Sequence, residues 1–401
     1  MHCDLDPLEG APRVCLSCPH AVQPLSLGAS THSSILPRQP GLFWLGYELG
    51  RFLEPAVAVS DAPANDRGWG LGEFHHCSWV LQTDPSGTSR RIEGDVADAT
   101  ATLRRCTRHA GAYRLELHDP QAARRAFERG VRRVLSYIRA GDVYQVNLTH
   151  RLTGRLIGCP RAFAADLLAS ACPWHGAYLE SEDHSGRRRA IVSASPELFI
   201  RFDAPSRHVQ TRPMKGTRPI ASSEAELASS AKDRAELNMI IDLMRNDLGR
   251  VCRLGSVRVA SAFNLEHHAD SVLQSTATVC GSLNAGVHAC ELLRATFPPG
   301  SVTGAPKIRA MQIIEELEPV ARGPYCGSIG RQSPDGSLAM NVAIRTALLT
   351  ETDRPGEWLL DFPVGAGIVA DSDPEQEWNE TLTKAQVLFR LTQTQAHPAH
   401  R

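Results

Sequence analysis

The feature that most restricts the fold is the order in which predicted strands and helices follow one another along the chain. Apolar periodicity predicts helices at 119–141, 161–171, 223–251, 286–296, 306–317 and 374–391. Strands are predicted at 41–50, 79–82, 143–152, 177–181, 190–202, 256–260, 272–280, 326–331, 338–349 and 357–369, with a strand or turn at 207–220. Because strands and helices do not alternate regularly, this order favours an α+β fold over a doubly wound parallel sheet.

The composition of the chain changes near residue 118. Residues 1–40 are rich in Pro, Ser, Leu and Cys without periodicity, and residues 60–95 are polar and interrupted by Gly and Pro, which is typical of loops. A length of 401 residues allows two or three domain-sized units or one large domain. We therefore predict a subdomain at 1–118 and a larger domain at 119–401.

Charge and hydropathy exclude two classes of partner. Lys and Arg together number 43 and Asp and Glu 44, so the chain lacks the basic excess of a nucleic-acid binder. It contains no uninterrupted apolar run of about 18 residues, the length that a membrane-spanning helix needs. The amino terminus has no apolar core of the signal-peptide type. The chain has 11 cysteines, an odd number, which does not suggest a framework of paired disulfides. We expect a cytoplasmic protein.

Lysine is scarce in this chain. Only Lys215, Lys232, Lys307 and Lys384 occur among the 43 basic residues. Lys215 lies in the glycine-bearing segment RPMKGT, at 212–217. A lysine amine acts as a nucleophile when burial or a neighbouring charge lowers its pKa. The alternative, an ordinary surface lysine, remains open from spacing alone.

Two acidic segments predict a site for a hard cation. Glu377 and Glu380 are three residues apart in a predicted helix and therefore share one face. Glu236, in a second predicted helix, offers another carboxylate. Magnesium prefers oxygen ligands, whereas zinc would require His or Cys. A solvated acidic face is the alternative interpretation.

Two glycine-rich segments resemble nucleotide-binding loops without meeting their requirements. The segment GAGIVA, at 365–370, is followed by too few residues for a dinucleotide-binding unit, although its backbone N–H groups suit a carboxylate. In 297–307 a proline precedes Lys307 and no Ser or Thr follows it, which excludes a P-loop. Pro306 opens a helix there, so the segment is either an anion-binding helix start or a plain loop and cap.

Eight motifs in a fixed order resemble one enzyme family. They are GDVYQVNL (141–148), SASPELF (193–199), RPMKGT (212–217), KDRAE (232–236), DLMRND (242–247), GSVTGAPK (300–307), YCGSIG (325–330) and GAGIVADS (365–372). Together they resemble the chorismate-utilising enzymes, which include anthranilate, aminodeoxychorismate, isochorismate and salicylate synthases. The resemblance is dense over roughly 120 to 390 and weaker over 41–55.

The resemblance implies a fold, a substrate and a cofactor. The fold would have a large mixed or antiparallel β-sheet core flanked by helices, with a shortened amino-terminal subdomain and a chorismate-binding catalytic domain. The substrate would be the dianion chorismate and the metal Mg²⁺, held by Glu236, Glu377 and Glu380 against one substrate carboxylate. The other substrate contacts implied are Gly216, Thr217, Tyr325, Arg345, Gly365, Gly367 and Lys384. Of these, Arg345, Tyr325 and the backbone of Gly365 and Gly367 would receive the second carboxylate. Lys384 would lie near the metal carboxylates.

Within this family, three positions imply the aminodeoxychorismate synthase branch. Gln145 stands where the isochorismate and salicylate enzymes carry a lysine that activates water. Lys215 stands where anthranilate synthases carry alanine, and in the aminodeoxychorismate branch this amine is thought to add to the ring with loss of the C4 hydroxyl, before ammonia displaces it. Glu197 matches the acid/base carboxylate of that branch. The alternatives are anthranilate synthase component I and a non-catalytic chorismate-binding relative.

The chain departs from the family pattern at two places. Val272 precedes Ser275 and Thr276 at a position where a histidine is usual, and His267 and His268 are nearby but out of register. The region before residue 41 is shorter and less familiar than the family's amino-terminal segment. Because the chain carries no glutaminase motif, ammonia would come from a separate glutamine amidotransferase subunit or from free ammonia.

Overall fold

The computed structural model describes most of the chain. The described residues are 14–16, 19–24, 35–36, 40–57, 62–77, 79–83, 90–95, 97–99, 111–219, 230–268 and 272–396. In these residues, no helix combines the length and the apolar character needed to cross a membrane.

Helices and strands are interspersed irregularly, as the sequence predicts. The helices are α1 (Leu49–Leu53), α2 (Gln121–Arg139), α3 (Pro160–Ala171), α4 (Ala231–Gly249), α5 (Ala289–Thr296), α6 (Lys307–Leu317), α7 (Pro374–Lys384) and α8 (Gln386–Ala396). The strands are β1 (Val14–Leu16), β2 (Pro19–Pro24), β3 (Gly41–Leu45), β4 (Gly72–Cys77), β5 (Trp79–Thr83), β6 (Arg90–Gly94), β7 (Tyr113–Leu117), β8 (Gln145–Gly158), β9 (Ala177–Glu182), β10 (Arg188–Ser193), β11 (Leu198–Phe202), β12 (His208–Arg212), β13 (Met214–Pro219), β14 (Arg258–His268), β15 (Val272–Ser282), β16 (Gly304–Ala305), β17 (Ser328–Gln332), β18 (Leu338–Asn341), β19 (Thr346–Glu351) and β20 (Glu357–Ile368).

The strands form two large sheets and one small one. The ten-stranded sheet has the order β13-β15-β12-β11-β18-β17-β3-β4-β2, with β14 also paired to β15. The seven-stranded sheet has the order β16-β8-β20-β19-β10-β9, with β7 paired to β8, and β1, β5 and β6 form the third. The longest pairs of the two large sheets, β8 with β20 and β14 with β15, are antiparallel. The predicted α+β class, with a large sheet core flanked by helices, is confirmed.

The two large sheets pack face to face and are covered by helices. Trp44 and Ile329 of the ten-stranded sheet contact Leu179, Ile191 and Leu348 of the seven-stranded sheet in one buried cluster. A second cluster packs α3 and α8 on the outer face of the seven-stranded sheet, and the largest cluster includes α2, α4, α5 and α6. Burial of these apolar side chains is the main favourable term for such a layered fold.

Strands from the predicted amino-terminal subdomain belong to the same sheet as strands of the predicted catalytic domain. Strand β3 pairs with β17 over five residues, from Ser328 opposite Leu45 to Gln332 opposite Gly41. The division at residue 118 stays a prediction. In the described residues, its two parts share a sheet rather than forming separate layers.

The structure corrects several element predictions. The strands predicted at 190–202 and 338–349 are each two strands in different sheets, β10 and β11 in the first case and β18 and β19 in the second. The helix predicted at 374–391 is two helices, since Ala385 has φ −86° and ψ 0° and ends α7. Leu388 and Leu391 of α8 then reach the outer core of the seven-stranded sheet. The strand predicted at 256–260 is longer, because pairing with β15 extends β14 to His268. These features depend on tertiary contacts that local periodicity does not report.

A buried ion pair connects the end of α6 to both layers. Arg322 donates to the Glu318 carboxylate at 2.8 and 2.6 Å, and both side chains are almost fully buried. The same guanidinium donates to the carbonyl oxygens of Val302 and Asn147 at 2.8 and 2.7 Å, and it lies 4.3 Å from the centre of the Tyr47 ring. Arg322 therefore satisfies backbone groups that would otherwise be buried without partners.

We expect Arg322→Met to lower the free energy of unfolding by about 3–5 kcal/mol, because it leaves the Glu318 carboxylate buried and uncompensated. Chemical denaturation measures this loss. Arg114→Met is the control, since Arg114 and Glu116 form an exposed pair and its removal should cost less than about 1 kcal/mol. Equal losses in the two variants would contradict the structural role of Arg322.

Candidate active site

An open cavity, with about 1030 Å³ of empty space when the solvent at its mouth is included, is lined by most of the residues that the sequence singles out. The predicted site residues that line it are Glu197, Lys215, Gly216, Glu236, Tyr325, Arg345, Gly365, Gly367, Glu377, Glu380 and Lys384. They come from β13, β20, α4 and α7, and from loops that carry Glu197, Tyr325 and Arg345, and therefore from segments far apart in the chain. Concave sites with a few convergent polar groups are typical of small-molecule binding.

Lys215 enters this cavity from an irregular strand. Strand β13 shifts register against β15 between Lys215 and Thr217, where Gly216 has a φ of +68°. This left-handed backbone favours glycine. Ser275, opposite Lys215, donates its hydroxyl to the Lys215 carbonyl oxygen at 2.6 Å, which fixes the backbone of the lysine.

Gln145 does not line the cavity but lies behind it, at Gly367 and near the Lys215 amine. A Cβ atom at Gly367 would lie 2.7 Å from Nε2 of Gln145 and 3.0 Å from Nζ of Lys215, so glycine leaves room for both groups. Gln145 is fully buried, and its amide nitrogen and oxygen have no hydrogen-bond partner among the described residues. A buried amide of this kind suits a small polar ligand with donors and acceptors.

Glu197 is a buried carboxyl group in the cavity wall. Burial raises its pKa to about 7, while a hydrogen bond from Ser301 and the charges of Lys215 and Arg345 act in the opposite direction. A carboxyl group with this pKa is partly protonated near neutral pH. It can therefore donate a proton and take one back.

Arg345 and Tyr325 supply a cation and a neutral hydroxyl. Burial lowers the pKa of Arg345 to about 10, and the nearby Glu197 opposes this effect, so the guanidinium is charged at neutral pH. Arg345 has a φ of +50°, a left-handed conformation that is uncommon for a side chain of this size and occurs most often at functional sites. Burial raises the pKa of the Tyr325 hydroxyl well above its usual value. The pair suits a carboxylate ligand.

The three predicted metal ligands line one cavity without forming a finished coordination shell. The Glu377 carboxylate accepts a hydrogen bond from Ser372 at 2.6 Å, and Glu380 forms an ion pair with Lys384 at 2.8 Å. Lys384 also donates to the Gly365 carbonyl oxygen at 2.9 Å. Across the described residues, no three His, Cys, Asp or Glu side chains are grouped closely enough to hold one ion. The oxygen-only donor set fits magnesium in chemistry, and binding would require the carboxylates to move together.

Some predicted features fall outside the cavity or outside the described side chains. Thr217 belongs to β13, and its side chain lies outside the described residues. The same holds for the side chains of Val272, His267 and His268, although the backbones of His268 and Val272 pair at the ends of β14 and β15. The substitution at Val272 therefore has no structural account.

Lys307 has a structural role rather than an anion-binding one. Its amine forms an ion pair with Asp247 and donates to the carbonyl oxygens of Thr296 and Pro298 at 2.8 and 3.1 Å. Pro306 is the N-cap of α6, and Ser301 and Val302 of the same glycine-rich segment line the cavity instead. Anion binding at this helix start stays a prediction.

Four polar residues of the cavity were not singled out from the sequence: Asn147, Asp233, Gln274 and Ser301. Asp233 precedes Glu236 by one helical turn, so helical spacing on α4 was the available signal. Gln274 gave no such signal. It precedes the Ser275-Thr276 pair in an ordinary strand pattern.

Comparison with known proteins identifies the family of this chain. The model of the chorismate binding enzyme family matches residues 19–390. Aminodeoxychorismate synthase component 1 of Klebsiella aerogenes is 38% identical over 379 residues, which cover 90% of this chain and 78% of that protein. Anthranilate synthase component 1 of Aquifex aeolicus (strain VF5) is 41% identical over 271 residues, or 66% of this chain and 52% of that protein.

The fold has a close counterpart among solved structures. Anthranilate synthase component I from Streptococcus pneumoniae TIGR4 superposes with a TM-score of 0.76 at 26% identity, covering 95% of this chain and 93% of that one. The match extends over both large sheets, because it covers nearly the whole chain. The chain belongs to the chorismate binding enzyme family.

Proposed function

We propose that this chain is an aminodeoxychorismate synthase component I, which converts chorismate and ammonia to 4-amino-4-deoxychorismate on the path to 4-aminobenzoate and folate. The observation that carries the proposal is the position of Lys215. Its amine lies in the cavity beside Gln145, and its charge acts on the buried Glu197. A scarce lysine with these neighbours suits a nucleophile rather than a surface charge.

The chemistry balances with the groups in the cavity. With its proton transferred to the Glu197 carboxylate, the Lys215 amine forms a C–N bond to the ring, and the C4 hydroxyl leaves as water with that proton. Ammonia then forms a C–N bond at C4, and the Lys215 nitrogen leaves with its electron pair. The Glu197 carboxylate passes the extra proton from the new ammonium group to the Lys215 amine, and both groups return to their starting states. Gln145, beside the lysine, would orient the ammonia.

The two carboxylates of chorismate require two different partners. Arg345, Tyr325 and the backbone at Gly365 and Gly367 would receive one of them. Magnesium, when bound by Glu236, Glu377 and Glu380, would neutralise the other and so offset the cost of burying its charge. Lys384, which forms an ion pair with Glu380, would then release this carboxylate to the metal and turn towards solvent or the substrate.

The source of ammonia is the second part of the proposal. The similar proteins are named component 1, which implies a second component. We propose a glutamine amidotransferase subunit, with free ammonia as the substitute in its absence.

Anthranilate synthase component I is the second candidate. Its support is the 41% identity to the Aquifex aeolicus protein and the superposition on the Streptococcus pneumoniae structure. Lys215 separates the two, since the resemblance places alanine there in anthranilate synthases. A non-catalytic chorismate-binding relative is the third candidate, motivated by Val272.

Incubation of the purified protein with chorismate, ammonium and Mg²⁺ tests the proposal directly. We expect 4-amino-4-deoxychorismate, detected by chromatography and mass spectrometry, and no product when EDTA removes the metal. Anthranilate and pyruvate would establish the second candidate instead. Chorismate binding without any product would establish the third.

We expect Lys215→Ala to lower amination by on the order of a thousandfold, because the variant has no nucleophile to expel the hydroxyl. Lys215→Arg is the matched variant: it keeps the charge and removes the nucleophile, so its rate should be equally low. Binding of chorismate, measured by titration, should survive in both variants. Normal turnover by either variant would remove Lys215 from the mechanism.

The raised pKa of Glu197 predicts a pH dependence of stability. The pKa of Glu197 is about 7 in the folded protein and the usual 4.5 in the unfolded chain. The carboxyl group therefore makes its full contribution to stability below about pH 4.5, and this contribution is lost as the pH rises through about 7. This difference corresponds to roughly 3 kcal/mol. Urea denaturation from pH 5 to 8.5 should show the loss in the native protein, whereas Glu197→Gln should be less dependent on pH. Parallel curves for the two proteins would contradict the assignment.

A further inference from the structure

Gln274 is a buried amide in the wall of the active-site cavity. It lies on β15, where its register partners are Thr217 on β13 and Glu266 on β14. Only 5% of its surface is exposed, yet it lines the same cavity as Lys215 and Glu236. The side chain is therefore held in the interior, at the wall of the cavity.

The surroundings of Gln274 are fixed by other polar contacts. Glu266, directly opposite, is paired with Arg212 and accepts a hydrogen bond from Thr276 at 2.6 Å. Ser275, the next residue, is bonded to the Lys215 backbone. Residues with such neighbours lose little freedom on binding a ligand, which favours a selective contact.

The polar lining of the cavity is mostly charged, and Gln274 is not. The charged members are Glu197, Lys215, Asp233, Glu236, Arg345, Glu377, Glu380 and Lys384. A neutral amide can both donate and accept hydrogen bonds, which suits a hydroxyl group better than a carboxylate. Asn147, a second neutral amide, lies on β8 opposite Gly367, whereas Gln274 is on the strand that pairs with the strand of Lys215.

We infer that Gln274 binds the C4 hydroxyl of chorismate and selects for a hydroxyl at that ring carbon. The inference rests on the proposed function, because it assigns Gln274 to the group that the Lys215 reaction expels. An amide can orient this hydroxyl but cannot protonate it. Proton transfer to the leaving oxygen is therefore the task of Glu197, and Gln274 acts by recognition.

Chorismate and isochorismate provide the test, since they carry the ring hydroxyl on different carbons. Each is titrated, with Mg²⁺, into the Lys215→Ala protein, in which the covalent step is absent. Gln274→Met, in that background, keeps the length of the side chain and removes its hydrogen bonds. We expect chorismate to bind about tenfold more weakly and isochorismate to change by less than about twofold.

The controls separate recognition from folding. Gln332→Met makes the same change at a position of the same sheet that is 6% exposed and outside the cavity lining, and both affinities should remain unchanged. Gln274→Leu repeats the measurement if the methionine variant does not fold. An unchanged chorismate affinity, or an equal loss for both ligands, overturns the inference.

The test also distinguishes the inference from the proposed function. If the Lys215→Ala protein with Gln274 intact binds no chorismate, the proposed function fails together with the inference. If it binds chorismate and the Gln274 variants bind it equally well, only the inference fails.

Discussion

The buried pair of Arg322 and Glu318 is the interaction on which the arrangement of the active site depends. The guanidinium holds the backbone of Asn147 on β8 and of Val302 in the glycine-rich segment, and both residues line the cavity. A lysine at this position would be a point charge without the planar fork that reaches several acceptors at once. One arginine thus connects the end of α6, the seven-stranded sheet and the cavity wall.

The elements that depend on local periodicity were predictable from the sequence. Helix α2, predicted at 119–141, spans Gln121–Arg139, because its amphipathic pattern lies in the segment itself. The length of β14 and the break at Ala385 were not predictable, since pairing with β15 and packing of α8 determine them. The joining of β3 to β17 is likewise a long-range contact that the sequence does not reveal.

The candidate site was predictable because its residue types are chemically unusual for this chain. Scarce lysine drew attention to Lys215, and two carboxylates on one helical face drew attention to Glu377 and Glu380. The roles of these residues came from the family resemblance. Neither route could find Gln274, whose importance comes from where β15 places it, nor show that Lys307 binds Asp247.

The pairing of β3 with β17 has a consequence for any attempt to dissect this protein. A fragment beginning at residue 119 would lack β2, β3 and β4, and the N–H and C=O groups of β17 would become an open edge. Such edges recruit strands from other molecules, and the apolar surface around Ile329 would be uncovered at the same time. A truncation that keeps every catalytic residue would therefore tend to aggregate, so fragments for engineering should retain residue 41 and the strands that follow it.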